Sequence, residues 1–575
     1  MSDVAETIVE TLHLQGVKTV WGVVGDALNP VTDAIRRTEG IEWVGVRHEE
    51  AAAFAANAQA QLTGDLGVCM GTVGPGSIHL LNGLYDAKKS HAPVLALCGQ
   101  VPLPELGSDF FQEIDNDQLF QDVSVFCRTV TSPSQMPGLL EQALQGALHR
   151  RGVAVLTLPG DVGGMDMPKG TRAPRAVARP GAVPPDPAVV ARARELIDAA
   201  DSVAILAGIG ARHARSELLA VADRLSAPMV LTLKAKEGLE RDNEFQVGHT
   251  GLIGNPAARK ALDAAELLLM VGTDFPYSDW YPEGKTVVQL DDRGEHIGRR
   301  TQVDLGVVGD SALALGALLE GLGPKTDRKH LDESRDAFRS WHDSQLELAD
   351  PSREGGLVDR VRSKFDNPDK RIRPEMLAAA VNAHADDDAI FTSDTGMSTV
   401  WLSRFVDFRG SRRLIGSYNL GSMANAMPHA LGAQALDRER QVIAFCGDGG
   451  LTMLLGDLLT AVAYNLPARF VVFDNGRLGM VKLEQEQGGL PEFGTILENP
   501  DLAAVARAMG MRAARVEEPD QLDAAVAEAF GGQGPVLLDV VTNPEEVSLP
   551  PKVTPTEAWG FAVAKMTEVV ESRGA

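Results

Sequence analysis

Gln441-Val-Ile-Ala-Phe-Cys446 runs into Gly447-Asp448-Gly449-Gly450, and Arg469-Phe-Val-Val-Phe473 runs into Asp474-Asn475. Both apolar runs are rich in β-branched and aromatic residues, so each reads as a strand ending in a turn. Between them, Leu451 to Asn465 reads as one helix closed by Leu466-Pro467. Such a strand–helix–strand crossover is right-handed and lays its strands parallel. Both turns then leave the same carboxyl edge of one sheet, where open α/β sheets bind ligands. Asp448 and Asn475 fall side by side there, one anionic oxygen donor and one neutral. That pair suits a Mg²⁺ holding a diphosphate, because magnesium takes few protein oxygens and fills its shell with phosphate and water. Free N–H groups at Gly449-Gly450, opening a helix, face the same anion.

The same phrase recurs twice upstream. Leu66-Gly-Val-Cys-Met70 leads into Gly74-Pro75-Gly76, a helix, Ala92-Pro93 and the strand Val94–Cys98. Ser202-Val-Ala-Ile-Leu-Ala207 leads into Gly208-Ile-Gly210, a helix, Ala227-Pro228 and the strand Met229–Leu233. The intervals from first glycine to proline are nearly equal in all three, which predicts an α/β chain of three doubly wound parallel-sheet domains on a shared plan. Two connectors separate them. Residues 166–187 carry six prolines and four Lys/Arg with no apolar period, an extended linker. Residues 323–373 are charge-dense, with amphipathic helical pieces. The expected domains are 1–165, 188–322 and 374–545, with a connector at 323–373 and a tail at 546–575.

The 575 residues fit about three or four domains. A net charge of −25 argues against nucleic acid and anionic membrane surfaces as electrostatic partners. Cys69, Cys98, Cys127 and Cys446 lie in apolar contexts without CxxC spacing and read as buried reduced thiols of a cytoplasmic protein. No signal peptide precedes Met1-Ser-Asp-Val, and no apolar run is long enough to span a bilayer.

A Gly-Asp-Gly followed after a fixed gap by Asn-Asn marks the thiamine-diphosphate (ThDP) site of the pyruvate oxidase and acetolactate synthase superfamily. The segment Gly447-Asp448-Gly449…Asp474-Asn475 resembles it, with Asp474 standing where the family has Asn. The resemblance implies Asp448, Asn475 and the main-chain carbonyl of Arg477 as metal ligands. It also implies that Gly449, Gly450 and the stretch from Asn475 through Leu478 and Gly479 to Val481 follow the diphosphate. Arg47-His48-Glu49-Glu50, at the end of the strand Ile41–Val46, resembles the family segment whose first Glu exchanges a proton with the aminopyrimidine; that residue is Glu49. Ser417 to Pro428 is similar to the stretch preceding Gly-Asp-Gly, which puts Gly421 and Ser422 along the pyrimidine and Met423 at the position that bends the cofactor. Glu49 and the metal site lie in different domains. The family clamps its cofactor between subunits, so a homodimer or homotetramer is implied, with 1–165 binding the pyrimidine and 374–545 the diphosphate.

His249 to Gly254, Gly272 to Tyr277 and Gln289-Leu-Asp291-Asp292 resemble the flavin segments of bacterial quinone-dependent pyruvate dehydrogenases. They are strand-end turns with glycines for close backbone approach and acids that can hold ribose hydroxyls. The FAD residues so implied are Gly208, Gly210, Thr250, Gly251, Leu252, Ile253, Gly272, Thr273, Asp274, Phe275, Pro276, Tyr277, Asp291 and Asp292. Gly208-Ile-Gly210 lacks the third glycine of the dinucleotide fingerprint, so FAD in domain 188–322 rests on the resemblance. Phe111, Gln112 and Glu484 match positions that face the substrate in pyruvate oxidases. Met480 stands where the quinone enzyme has an aromatic residue that relays electrons. The resemblance implies oxidative decarboxylation of pyruvate, or a related 2-oxo acid, to acetate and CO₂, with electrons passing through FAD to a quinone. Its alternatives are an oxidase that uses phosphate and oxygen to make acetyl phosphate, and a carboligase that makes 2-acetolactate. The quinone enzymes carry an additional lipid-binding helix at their end, which this sequence does not match. Residues 556–571 read instead as an amphipathic helix packed on its own domain, which puts lipid binding in doubt and leaves a cytoplasmic protein with at most a transient contact at the inner face of the cell membrane.

Overall fold

The computed structural model describes residues 2–350, 367, 370–545, 563 and 564. Apart from residues 563 and 564, the tail expected at 546–575 with its helix lies outside the described residues, as does much of the second connector.

Three six-stranded sheets follow one another along the chain, and every strand pair in them is parallel. The first holds β1 (Thr19–Gly22), β2 (Glu42–Gly45), β3 (Gly67–Gly71), β4 (Val94–Gln100), β5 (Ser124–Thr129) and β6 (Val153–Pro159). The second holds β7 (Val203–Ala207), β8 (Met229–Leu231), β9 (Gln246–His249), β10 (Leu267–Val271), β11 (Thr286–Asp291) and β12 (Leu305–Val308). The third holds β13 (Ile390–Ser393), β14 (Arg413–Gly416), β15 (Val442–Gly447), β16 (Arg469–Asp474), β17 (Arg512–Val516) and β18 (Val536–Val541). Central strands such as β4, β6, β7 and β10 are buried along their whole length, as expected of parallel sheets covered by helices on both faces.

The shared plan predicted for all three domains holds for two of them. The first sheet runs β2-β1-β3-β4-β6-β5 and the third runs β14-β13-β15-β16-β18-β17, which is the same order shifted along the chain. The middle sheet runs β12-β11-β10-β7-β8-β9. Read from its other end, that is the 3-2-1-4-5-6 order of dinucleotide-binding sheets, with the switch point between β7 and β10. The strand–helix–strand spacing reports only how neighbouring strands connect; it carries no information about the side on which later strands join.

The outer domains share one hydrophobic core. The alanine-rich helix Glu49–Thr63 buries Ala51 to Ala56 against the helix Ala426–Leu436 of the third domain. The approach is so close that a Cβ at Gly432 would lie 2.3 Å from the carbonyl oxygen of Ala55. The middle domain docks through charge and through Leu233 and Ile253, which pack against the third domain's core. Glu237, buried, accepts from Arg413 Nε at 2.5 Å and from the Leu414 N–H at 2.8 Å, and it also pairs with Arg212. Arg413 in turn donates to the carbonyl of Leu62 at 3.2 Å, so the three domains meet at this one guanidinium.

The helix expected over Leu451–Asn465 begins earlier and is broken. It forms as Asp448–Met453, a 3₁₀ turn at Leu455–Asp457, and Leu458–Ala463. The break turns Asp457 toward the first domain, where its Oδ1 accepts from the Arg47 N–H and the Thr460 hydroxyl, both at 2.8 Å. All four cysteines are buried and free. No helix among the described residues is long and apolar enough to cross a membrane.

Candidate functional site

β15 and β16 are hydrogen-bonded neighbours with Gly447 opposite Phe473, so the turns after them open together at the carboxyl edge of the third sheet. Asp448 is 2% exposed. Its Oδ1 accepts from the Gly449 N–H at 2.8 Å, and its Oδ2 accepts from the Gly476 N–H and from Asn499 Nδ2, each at 2.8 Å. Burial pushes the Asp448 carboxyl up, the nearby Asp474 adds to that push, and these hydrogen bonds oppose it. Asn475 Oδ1 accepts from the Arg477 N–H at 3.0 Å. Asp474, the departure from Asn-Asn, turns away from the pair. Its Oδ1 accepts from Asn499 at 2.9 Å, and its Oδ2 lies 3.2 Å from Arg515, which also holds Asp539 at 2.6 Å.

Asp448, Gly449, Gly450, Asn475, Arg477, Leu478, Gly479, Met480 and Val481 line one cavity of about 80 Å³, together with Met423 and Asp394. Packing demands a glycine at 450, where a Cβ would lie 2.3 Å from Asp394 Oδ2, while one at Gly449 would press on the Leu478 side chain at 3.0 Å. A carboxylate at a helix start and an amide oxygen on the neighbouring strand-end loop, lining one cavity, make a hard-oxygen donor set that fits Mg²⁺ and a diphosphate. Asp394 and Asn499 escaped the sequence reading. Asp394, at the end of β13, accepts from the Ala426 N–H at 2.9 Å and the Gly447 N–H at 3.1 Å, and burial pushes its carboxyl up to about 7. It thereby ties β13 and β15 to the helix that reaches the first domain. Asn499 sits in a loop before Pro500, and an Asn-Pro pair is a loop signal that carries no hint of its two acidic partners.

A second cavity of about 530 Å³ lies where the middle domain meets the third, with Lys89, Ser90, His91 and Arg151 of the first domain on its wall. Gly210, Thr250, Gly251, Leu252, Ile253, Gly272, Asp274, Phe275, Pro276, Tyr277, Asp291 and Asp292 all line it, from every strand end between β11 and β9. Gly208 and Thr273 stand behind its wall: a Cβ at Gly208 would lie 2.2 Å from Gly272 O, so this glycine serves the approach of two loops. Thr250 Oγ1 and His296 Nε2 are buried without a hydrogen-bond partner, and both residues border the cavity. Unpartnered polar atoms beside apolar aromatic walls fit a bound dinucleotide. Thr395, Gly396 and Met480 border both cavities, and Glu484 and Gly421 border the larger.

The remaining expected residues lie elsewhere. Glu49 opens its helix, buried, and its Oε2 accepts from His79 Nδ1 at 2.9 Å, with His79 stacked on His48. Phe111 is 78% exposed, and Gln112 adopts φ +66° on the same loop. None of the three lines either cavity of this chain. The Ser422 hydroxyl is used between Asn82 Nδ2 at 2.9 Å and the Met423 carbonyl at 2.8 Å, linking the third domain to the first.

Comparison with known proteins agrees with this architecture. Three family models match in order: the N-terminal TPP binding domain of thiamine pyrophosphate enzymes over residues 2–119, their central domain over 190–318 and their C-terminal TPP binding domain over 394–540. The chain is 37% identical to the Bacillus subtilis protein YdaP, provisionally named as thiamine pyrophosphate-containing, over 99% of this chain and 96% of that one. It is 31% identical to a pyruvate oxidase of Lactiplantibacillus plantarum over 93% of this chain and 87% of the relative. Against acetolactate synthase isozyme 2 large subunit of Escherichia coli it is 29% identical, over 93% and 95%. The chain belongs to the thiamine pyrophosphate enzyme family.

Proposed function

We propose that the protein oxidatively decarboxylates pyruvate, or a closely related 2-oxo acid, to acetate and CO₂ in the cytoplasm, using ThDP, Mg²⁺ and FAD and passing electrons to a quinone. The observation that carries this reading is the adjacency of the two cavities. A dinucleotide-type sheet faces a diphosphate-type edge across Thr395, Gly396 and Met480. A carboligase that keeps FAD as a structural relic does its chemistry at the second edge alone; electron transfer uses both, and the shared wall supports it.

In this reading residues 1–165 bind the pyrimidine, 188–322 bind FAD and 374–545 bind the diphosphate. Asp448, Asn475 and the Arg477 carbonyl hold the metal, with Asn499 fixing Asp448. Bound ThDP supplies the electron sink that lets the carboxylate leave as CO₂. Glu49 holds and exchanges a proton with the pyrimidine, and His79 orients the Glu49 carboxylate. Phe111, Gln112 and Glu484 shape the substrate side. Glu49, Phe111 and Gln112 line no cavity of their own chain, so a second copy supplies them in a homodimer or homotetramer.

Anaerobic addition of pyruvate to the FAD- and ThDP-loaded protein, followed by menadione, tests the reading. Bleaching of the flavin band and its return with menadione support it. An unbleached flavin with a C–C-bonded product supports 2-acetolactate synthesis, the reading favoured by the likeness to acetolactate synthases. Bleaching reversed by oxygen, with phosphate-dependent acetyl phosphate, marks the oxidase.

A further inference from the structure

Most cations around the larger cavity are already paired. Arg151 meets Asp292, Arg212 meets Glu237 and Arg293 meets Glu295, while Lys89 is exposed. Lys234, which follows β8 and borders the cavity, differs. Among the described residues its Nζ forms no ion pair, and its hydrogen bond goes to Ser90 Oγ at 3.4 Å. The acids nearest in effect are engaged elsewhere. Asp86 accepts from Asn57 at 2.8 Å and Ser417 at 2.7 Å and lies 3.2 Å from His429. Asp274 faces His91 at 3.4 Å, Arg300 at 3.6 Å and Arg299 at 3.8 Å. Burial pushes the Lys234 ammonium below the usual lysine range, with Asp86 and Asp274 opposing. A half-buried ammonium with one long hydroxyl contact is under-satisfied unless the cavity's occupant brings an acceptor.

Strand order indicates which part of a dinucleotide arrives there. Asp291 and Asp292, suited to ribose hydroxyls, end β11 at one side of the cavity. Gly210 and Gly272 meet at the switch point between β7 and β10, where backbone can approach a diphosphate. Lys234 lies one strand further on, toward β9. At that side Leu233 and Ile253 pack against the third domain's core, next to the ThDP edge. The half of the ligand beyond the diphosphate, the flavin ring, falls on this side.

We propose that Lys234 is the counter-charge to the reduced flavin ring and raises the potential at which the flavin accepts electrons. The inference rests on the FAD reading above. Two electrons and one proton leave the ring with one negative charge on its pyrimidine edge; in turnover pyruvate supplies the electrons, and in the test dithionite does. Lys234 favours that anion over the neutral oxidised ring.

The test uses the full-length holoenzyme, with wild type, Lys234→Met and Lys234→Arg compared by FAD titration and by dye-equilibrated reductive titration. The expected result is that Lys234→Met binds oxidised FAD as wild type does but loses about tenfold in preference for the reduced form, a potential lower by about 30 mV for a two-electron couple. Lys234→Arg restores most of it, which separates charge from fold. An unshifted potential in Lys234→Met overturns the inference. So does an equal loss of affinity for both redox forms, which would place the diphosphate against Lys234. Wild type that takes up no FAD overturns the flavin reading itself, and is seen before any variant is made.

Discussion

Asn499 donates its side-chain N–H to Asp448 Oδ2 at 2.8 Å, and the same nitrogen reaches Asp474 Oδ1 at 2.9 Å. One amide therefore holds two acids at fixed positions, keeping Asp448 beside Asn475 and Asp474 toward Arg515. Groups that orient a metal's ligands contribute about 10–100-fold to metal affinity. Asn499→Leu is expected to raise the Mg²⁺ concentration for half-maximal ThDP binding by about tenfold or more, read by titration of the cofactor's circular dichroism. An unchanged midpoint would remove Asn499 from the metal's support.

Glu237→Ala strips the carboxylate from Arg413 and Arg212 and leaves the Leu414 N–H unanswered. Removing one partner of a buried ion pair costs about 3–5 kcal/mol. Because both arginines keep some solvent access, with side-chain exposures of 21% and 39%, the lower end is expected. Thermal unfolding should show an earlier loss of the middle domain, and limited proteolysis should cut near it first. A wild-type melting profile would show that the domains are held by other contacts.

Gly432→Ala places a methyl group where 2.3 Å separates it from a backbone oxygen that cannot swing aside. Overpacking of this kind costs about 1–3 kcal/mol. The substitution should lower thermal stability although alanine is the better helix former. An equal or higher Tm would mean that the two helices can slide apart at no cost.

Glu49→Gln keeps the size and the contact with His79 but cannot exchange a proton as a carboxylate does. Turnover is expected to fall by about 10²–10⁴-fold with ThDP affinity little changed. Exchange of the cofactor's C2 proton, followed by NMR, separates this from a folding defect. Unaltered exchange would exclude Glu49 from the chemistry.

His249 is buried, and burial with the nearby Lys236 and Arg404 pushes its imidazole down to about 3. In the unfolded chain it titrates near 6.5. Between those values the unfolded state holds the extra proton, so stability rises with pH, and its contribution is lost as pH falls below 6.5 toward 3. The slope reaches about 1.4 kcal/mol per pH unit. His249→Gln should flatten the difference in denaturant midpoint between pH 6.5 and pH 5. A slope identical to wild type would show that other groups set the acid sensitivity.

The sequence was legible wherever the signal was local. Apolar runs ending in glycine turns disclosed the strand ends, and those turns disclosed Asp448 and Asn475, while the family resemblance supplied part of the larger cavity's lining, from Gly210 to Asp292. Contacts made across the fold were silent. Asp457 breaks its helix to meet Arg47, 410 residues away in sequence, and no periodicity reports that. Asp394 reads as an ordinary strand-end acid until its carboxylate is seen bridging two backbone segments. The different order of the middle sheet escaped for a similar reason, since a crossover looks alike whichever side of the sheet the next strand joins.

The packing of Glu49–Thr63 on Ala426–Leu436 bears on how the molecule comes apart. Beside a core of its own, each outer domain contributes to one shared apolar interior, whereas the middle domain's cores are built from its own residues. The outer two-thirds should therefore melt as one cooperative block, and a fragment containing only one of them would present a raw alanine-lined face to water. A nascent chain must wait for the helix Ala426–Leu436 to be made before that face is sheltered.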